Sequence, residues 1–206
     1  MSEPAIDQEE VEPRLLLVGP ASLVLNEKAR NDLPGLLNLL RPAALLLSDA
    51  GRGSLGELGH LRNLANRSGA AFLLEDKLDL IAGADGLHFR EGAAVKAARK
   101  KLGKDDLIGA DAGHSRHDAM TIGEDGADYV AFGDRDAALT DETLQHVRWW
   151  RAMTVLPCLA YAPDLEAVKA LYEAGADFIG VSSLVFDHQE IAGSTARELA
   201  GIFESS

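Results

Sequence analysis

Short apolar runs alternate with longer amphipathic segments along almost the whole chain, and this alternation constrains the fold more than any other feature. Most of the apolar runs are continuous, which is typical of strands that are covered on both faces in a parallel sheet. The predicted strands cover residues 15–18, 44–47, 71–74, 86–89, 106–109, 129–132, 157–160 and 178–181. The predicted helices cover residues 23–40, 55–67, 78–82, 93–102, 116–124, 140–152, 165–174 and 195–203.

Strands that alternate with helices indicate the α/β class. Eight such units favour closure into a single-domain (β/α)8 TIM barrel, because an open sheet would leave its edges unpaired.

A repeated Gly-Ala-Asp tripeptide supports this count of strands. It occurs at residues 83–85, 126–128 and 175–177, each time just before an even-numbered predicted strand. The glycine can end the preceding helix in the left-handed conformation, and the aspartate can accept hydrogen bonds from nearby backbone amides. These aspartates fall at the N-terminal rim of the barrel, where such features serve stability. We therefore leave them out of the predicted site.

Charge and composition limit the partners and the compartment. Residues 1–13 are acidic and lack the features of a signal peptide, so we expect a flexible tail before a barrel domain of residues 14–206. No apolar run approaches the roughly 20 residues of a membrane helix. The formal net charge of −13 repels nucleic-acid phosphates and anionic lipids, so we expect neither nucleic acid nor a membrane as a partner. The single cysteine, Cys158, cannot form an intrachain disulfide. We predict a buried thiol in a cytoplasmic protein.

In a TIM barrel the active site lies at the carboxyl ends of the strands, so the residues that follow each strand are the candidates. Glu75, Asp76 and Lys77 follow the third strand. Their carboxylates suit Mg²⁺, although acidic residues are also common at a helix N-terminus. Ser182 and Ser183 follow the eighth strand, where they can donate to a phosphate group or cap a short helix.

Further candidates follow the middle strands. His114 is either an acid–base group or an ordinary loop histidine. The segment 134–136, Asp-Arg-Asp, belongs either to the site or to a surface ion cluster. Asp111 and Tyr161 stand at the ends of the fifth and seventh strands. We expect His88 to pack in or near the core, His146 to carry no functional signal, and Trp149 and Trp150 to serve packing or a subunit contact.

Several segments in order resemble the thiamine-phosphate synthases and the related thiazole tautomerases. The resemblance extends from about residue 70 to residue 186, and its segments are 84–89, 102–103, 108–109, 114–115, 126–130 and 175–183. It implies a transferase of thiamine biosynthesis that joins hydroxymethylpyrimidine pyrophosphate to thiazole phosphate and releases pyrophosphate. It also implies Mg²⁺ on the pyrophosphate, a small-molecule phosphate ligand and a homodimer.

Our predicted site combines this resemblance with the strand-end candidates. The predicted metal ligands are Asp76 and Glu91, and the predicted catalytic residues are Asp76, His114 and Asp134. The predicted substrate-binding residues are Glu75, Lys77, Asp111, Tyr161, Ser182 and Ser183.

The chain also departs from the family's pattern at several strand ends. Basic, amide, glycine or threonine positions of the family are replaced in segments 48–50, 90–92, 134–138 and 161–163. A charge-assisted hydrogen bond is worth about 1.5–3 kcal/mol, so the loss of two or three would weaken binding of an anion by orders of magnitude. Three hypotheses therefore stay open. The first is a divergent thiamine-phosphate synthase, and the second is a barrel that binds a small ligand or a partner without turnover. The third is different acid–base chemistry on Glu75, Asp111, His114 and Asp134.

Overall fold

Eight parallel strands close into a barrel in which each strand is hydrogen-bonded to its neighbours in sequence, and β1 pairs with β8. The computed structural model describes residues 12–20, 26–49, 54–186 and 193–204. The strands are β1 (Arg14–Pro20), β2 (Ala44–Ser48), β3 (Ala71–Glu75), β4 (Gly86–Phe89), β5 (Leu107–Gly113), β6 (Tyr129–Phe132), β7 (Cys158–Tyr161) and β8 (Phe178–Val181). This arrangement confirms the predicted (β/α)8 barrel.

Helices surround the sheet. They are α1 (Glu27–Leu40), α2 (Leu55–Arg67), α3 (Val95–Arg99), α4 (Arg116–Glu124), α5 (Asp141–Met153), α6 (Leu165–Ala174), α7 (Ser183–Phe186) and α8 (Ser194–Glu204). Two 3₁₀ helices, Leu78–Gly83 and Gly92–Ala94, stand in the third and fourth connections. At the start of several helices, the side chain of the N-cap residue accepts a hydrogen bond from a backbone N–H of the first turn. In α2, for example, Ser54 and Glu57 form a reciprocal capping box.

Most predicted boundaries agree with the structure to within a residue or two. The start of the predicted helix 23–40 lies outside the described residues, and the other differences have local causes. The predicted helix over 93–102 is a 3₁₀ turn followed by the short α3. The backbone N–H of Lys101 bonds to the carbonyl of Ala98, which tightens the chain after α3 and ends the helix. Strand β5 continues past the predicted end at residue 109, and its register with β6 shifts between Asp111 and Gly113. That irregularity lies beside the candidate site, as such features often do.

Alternate side chains of the strands form two separate apolar layers. One layer fills the inside of the barrel and includes Leu16, Leu46, Leu73 and Leu159. The other lies between the strands and the surrounding helices. Because side chains in a strand alternate with a period of two, a residue two positions beyond an inward leucine also points into the barrel. This rule places polar residues at the C-terminal ends of the strands inside the barrel mouth.

The three aspartates of the repeat clamp the N-terminal rim. Asp85 accepts the backbone N–H of Phe72 at 2.8 Å, and Asp177 accepts that of Cys158 at 2.8 Å. Asp128 accepts the N–H of Ile108 at 2.7 Å and also pairs with Arg99. Each aspartate therefore ties its own strand to the strand before it. The assignment of the repeat to stability fits these contacts.

The expected burial of Cys158 and packing of Trp150 are confirmed. Cys158 is fully buried, and burial raises the pKa of its thiol to about 12. Trp150 is buried against the core, and its indole N–H donates to the carbonyl of Leu156 at 2.7 Å. In the described part of the chain, no helix is long and apolar enough to cross a membrane. Residues 1–11 of the predicted tail lie outside the described residues, so the flexible tail stays a prediction.

We predict that Asp128→Ala lowers the free energy of unfolding by about 1–3 kcal/mol, because it removes the acceptor of the Ile108 amide and the carboxylate partner of Arg99, which keeps only its bonds to backbone carbonyls. Chemical denaturation measures this change. Asp105, which is exposed in the loop before β5, gives the control, and Asp105→Ala should stay within about 0.5 kcal/mol of the wild type. Equal stability of the two variants would contradict a role for the rim clamp.

Candidate functional site

The described residues form two cavities at the C-terminal ends of the strands, and Arg90 and Arg135 line both. The first cavity, of about 620 Å³, lies over the ends of β4 to β6, and its polar lining includes Glu91, Asp111, His114, Asp118 and Asp134. The second cavity, of about 730 Å³, lies across the mouth of the barrel, and its polar lining includes Ser48, Asp49, Glu75, Asp136, Asp164 and Ser182. Volumes of this size suit small-molecule ligands.

A buried ion pair stands where the two cavities meet. The Nη2 atom of Arg135 donates to Oε1 of Glu75 at 2.6 Å, and the two side chains are only 9% and 10% exposed. The guanidinium carbon of Arg135 also lies 5.4 Å from the centre of the Tyr161 ring. The interpretation of segment 134–136 as a surface ion cluster is therefore wrong for Arg135. The loop after β6 carries this arginine inward, because Glu75 at the end of β3 offers a buried carboxylate.

A polar network lies below this pair, inside the barrel. His88 is fully buried, and its Nδ1 lies 2.9 Å from the hydroxyl of Tyr129. Its Nε2 lies 3.0 Å from Oδ1 of Asp111. The hydroxyl of Tyr161 donates to the same Asp111 oxygen at 2.8 Å. The prediction that His88 packs in the core is confirmed, but the sequence did not show that it links three polar residues.

The electrostatics fix the protonation of this network at neutral pH. Burial alone would raise the pKa of Asp111, but hydrogen bonds from His88 and Tyr161 outweigh it, so the pKa lies below the usual 3.8. Burial, together with the nearby charge of Asp111, raises the pKa of Tyr129 and of Tyr161. Asp111 is therefore ionised while both tyrosines keep their protons. Since an ionised carboxylate only accepts, Nε2 of His88 carries the proton that faces Asp111.

Two glycines make room for the tyrosine rings. A Cβ atom on Gly109 would overlap the ring of Tyr129. A Cβ atom on Gly180 would come within 2.8 Å of the ring of Tyr161, on the neighbouring strand. Real Cβ atoms do not approach other atoms so closely. A glycine on the neighbouring strand therefore lets the narrow barrel hold each large aromatic ring.

The structure distributes the predicted site residues over both cavities. Glu75 and Ser182 line the second cavity, whereas Glu91, Asp111, His114 and Asp134 line the first. Tyr161 is buried beneath them as part of the polar network. The side chain of Ser183 lies outside the described atoms, although its backbone begins α7.

Asp76 and Lys77 stand slightly apart from the two described cavities and line neither of them. Asp76 is exposed and adopts a left-handed backbone with φ of 51°, which is uncommon outside glycine. Its Oδ1 accepts the backbone N–H of Arg90 at 3.2 Å. This bond holds the carboxylate against the loop that carries both Arg90 and Glu91.

The site predicted from the sequence left out His88, Tyr129 and Arg90, although Arg90 stands at a strand end. The strand register of the structure shows why His88 belongs to the site, because His88 pairs with Glu75 on the neighbouring strand. No sequence pattern joined Arg135 to Glu75, since the two are far apart in the chain and meet only through closure of the barrel.

A different group of side chains has the composition of a metal site. Among the residues that the structure describes, His114, Glu142 and His146 form the group whose potential ligand atoms all lie within 4.8 Å of one another. His146, which carries no functional signal in the sequence, is the buried member of this group.

A closed parallel (β/α)8 barrel with charged cavities at the carboxyl ends of its strands defines the class as a TIM barrel with an enzyme-type site. The thiamine monophosphate synthase family matches residues 53–185. The chain is 40% identical over 151 residues to the thiamine-phosphate synthase of Hyphomonas neptunium, with 69% of this chain and 68% of the relative covered. It is 39% identical over 137 residues to that of Rhodospirillum centenum, with 62% and 66% covered. The chain belongs to the thiamine monophosphate synthase family, which confirms the resemblance seen in the sequence.

The matched segments cover about two thirds of the length of these curated relatives. Solved structures agree on the fold. The thiamine phosphate pyrophosphorylase from Pyrococcus furiosus has a TM-score of 0.74 at 21% identity, with 95% of this chain and 96% of that chain covered. A 3-hexulose-6-phosphate synthase reaches a TM-score of 0.66 at 14% identity, with 91% and 98% covered. At such identities these likenesses show the barrel alone.

We predict a pH-dependent effect of Asp111→Asn on stability. The folded-state pKa of Asp111 lies below its ordinary value, so ionised Asp111 stabilises the fold above that value and loses this contribution as the pH falls through the folded pKa. The difference in unfolding free energy between wild type and Asp111→Asn should be constant above about pH 5 and narrow below about pH 4. Denaturation curves across this range measure it. The exposed-site variant Asp105→Asn, measured in parallel, is the reference for this comparison.

Proposed function

We propose that the chain catalyses the coupling that its family name describes, in which a pyrimidine pyrophosphate and a thiazole phosphate are joined and pyrophosphate leaves. The family membership supports the reaction class, and the two cavities at the barrel mouth give room for two substrates side by side. The reaction breaks a carbon–oxygen bond heterolytically and releases pyrophosphate. The protein's main task is therefore to stabilise the negative charge of the leaving pyrophosphate.

The observation that carries this proposal is the position of Arg90 and Arg135, which line both cavities. The formal net charge of −13 repels a pyrophosphate from most of the surface, so anion binding needs a local excess of positive charge. The sequence alone left open what replaces the family's basic residues. We infer that these two arginines, from the ends of β4 and β6, take over that role from a different part of the rim.

Mg²⁺ fits the residues at the edge of this site. Mg²⁺ usually takes one or two carboxylates and completes its shell with water and substrate phosphates. Asp76 presents an exposed carboxylate, and its bond to the backbone of Arg90 places it next to the loop that carries Glu91. We propose that Asp76 and Glu91 hold the ion. When bound, Mg²⁺ would neutralise charge on the leaving pyrophosphate.

The remaining side chains position and shield the substrates in this proposal. Glu75 keeps the guanidinium of Arg135 in a fixed place inside the barrel mouth. Ser182 adds a hydroxyl to the second cavity, at the strand end where barrels often bind phosphate. The buried network of His88, Tyr161 and Asp111 forms a rigid polar floor, because each of its polar groups has a partner.

A second candidate function is ligand binding without turnover, and one observation favours it. The second cavity contains four acidic side chains, Asp49, Glu75, Asp136 and Asp164, against two arginines. Part of the charge of Arg135 is also neutralised by Glu75. Such a lining favours a cationic or neutral ligand, such as a free thiazole or pyrimidine, over a pyrophosphate.

The release of pyrophosphate by the purified protein separates the two candidates. Both family substrates are supplied, with Mg²⁺ and then with a chelator. Release that requires the metal and is abolished by Asp76→Ala supports the coupling reaction. The absence of release by a folded protein, together with binding of either uncharged heterocycle in calorimetry, supports the second candidate and contradicts the first.

A pair of arginine variants tests the anion site. Arg90 is exposed, so we expect Arg90→Gln to leave stability unchanged and to lower kcat/KM about ten- to a hundredfold through the loss of a charge-assisted hydrogen bond. Arg135→Gln leaves Glu75 buried without its partner. We therefore expect it to lower activity and also to cost about 3–5 kcal/mol of stability.

Kinetics and denaturation of both variants, with His60→Ala on the exposed face of α2 as control, measure these effects. Full activity of Arg90→Gln would contradict the assignment of Arg90 to the pyrophosphate.

A further inference from the structure

Three potential metal ligands converge beside the first cavity from two parts of the fold. His114 comes from the turn between β5 and α4, whereas Glu142 and His146 lie four residues apart on α5 and therefore share one face of that helix. Nδ1 of His114 lies 3.6 Å from Oε2 of Glu142. One ligand atom of each of the three residues lies within 4.8 Å of the others.

The distance of 3.6 Å between Nδ1 of His114 and Oε2 of Glu142 is close to the distance between two neighbouring ligand atoms of a bound ion. Bonds of about 2.0–2.1 Å in a tetrahedral site place neighbouring ligand atoms roughly 3.3 Å apart. The side chains of His114 and Glu142 are 42% and 63% exposed, so they can approach by small rotations without disturbing the core. His146, which is only 6% exposed, is the fixed member of the group.

His146 gives an independent indication of a ligand. Its Nδ1 is buried and has no hydrogen-bond partner, although a buried polar atom normally has one. The ring stacks on Phe132, which sets its orientation. A buried imidazole nitrogen without a hydrogen-bond partner is available to coordinate a metal.

The donor set selects the kind of metal. Two imidazoles and one carboxylate suit zinc and similar divalent transition metals, whereas Mg²⁺ prefers oxygen ligands alone. Arg116 carries a positive charge near His146, and this charge opposes the binding of a cation by electrostatic attraction alone. Its guanidinium carbon lies 4.9 Å from the centre of the Trp149 ring. Coordination by imidazole nitrogen can outweigh this repulsion for zinc but offers little to Mg²⁺.

We propose that His114, Glu142 and His146 form a binding site for a divalent transition metal of the zinc class, separate from the proposed Mg²⁺ site at Asp76. His114 also lines the first cavity, which gives the ion a path from solvent. Three protein ligands leave a coordination position for water or for a ligand of that cavity, as in catalytic zinc sites. The proposal does not depend on the coupling activity.

Calorimetric titration of the chelator-treated full chain with Zn²⁺ alone tests the site. We expect one Zn²⁺ per chain, with an affinity that falls roughly tenfold or more in Glu142→Gln and in His114→Ala. Both residues are exposed, so these variants should fold like the wild type. Glu166→Gln is a matched control, because Glu166 is exposed and stands second in α6 as Glu142 does in α5.

The same titration with Mg²⁺ and with an Asp76→Asn variant separates the two sites. Zinc binding that is unchanged in Asp76→Asn and in Glu166→Gln, together with nitrogen-ligand absorption bands when Co²⁺ replaces Zn²⁺, supports the proposal. Zinc affinity that is the same in the wild type, Glu142→Gln and His114→Ala would overturn it, as would the absence of zinc binding by the wild type. Neither result depends on whether pyrophosphate is released.

Discussion

Closure of the barrel through the pairing of β1 with β8 is the constraint on which the rest of the structure depends. Closure removes the sheet edges, and it sends every second side chain of each strand into a narrow interior. The interior is too narrow for large side chains from all eight strands at the same height along the barrel axis. Glycine on one strand therefore faces tyrosine on its neighbour, as with Gly180 and Tyr161. The register between neighbouring strands also sets the positions of the polar residues at the mouth of the barrel.

The two ends of the barrel use charge in different ways. At the N-terminal rim, the carboxylates of Asp85, Asp128 and Asp177 accept hydrogen bonds from backbone amides of the preceding strands. These carboxylates therefore hold neighbouring strands together. At the C-terminal rim, charged side chains line cavities and keep some of their hydrogen-bonding capacity free for a ligand. Arg135 shows the difference, since one of its nitrogens binds Glu75 while the side chain also lines both cavities.

The first cavity connects the proposed sites. Arg90 and Arg135 form the wall that it shares with the second cavity, while His114 belongs both to its lining and to the proposed zinc site. An ion bound at His114 would therefore add positive charge to a cavity that is otherwise rich in carboxylates. Such a charge would act in the same direction as the two arginines on an anionic ligand.

The sequence by itself determined the barrel, because the period of its apolar runs, the eight-unit count and the Gly-Ala-Asp repeat are all local patterns. It also placed Glu75, Asp111, His114 and Ser182 near the mouth, since strand ends meet at one rim. Only the tertiary structure decided which of these side chains touch. The Glu75–Arg135 pair, the contacts of His88 with Asp111 and Tyr129, and the meeting of His114 with His146 join residues that are distant in the chain. Such contacts depend on register, on burial and on the path of each loop, and no local pattern encodes these.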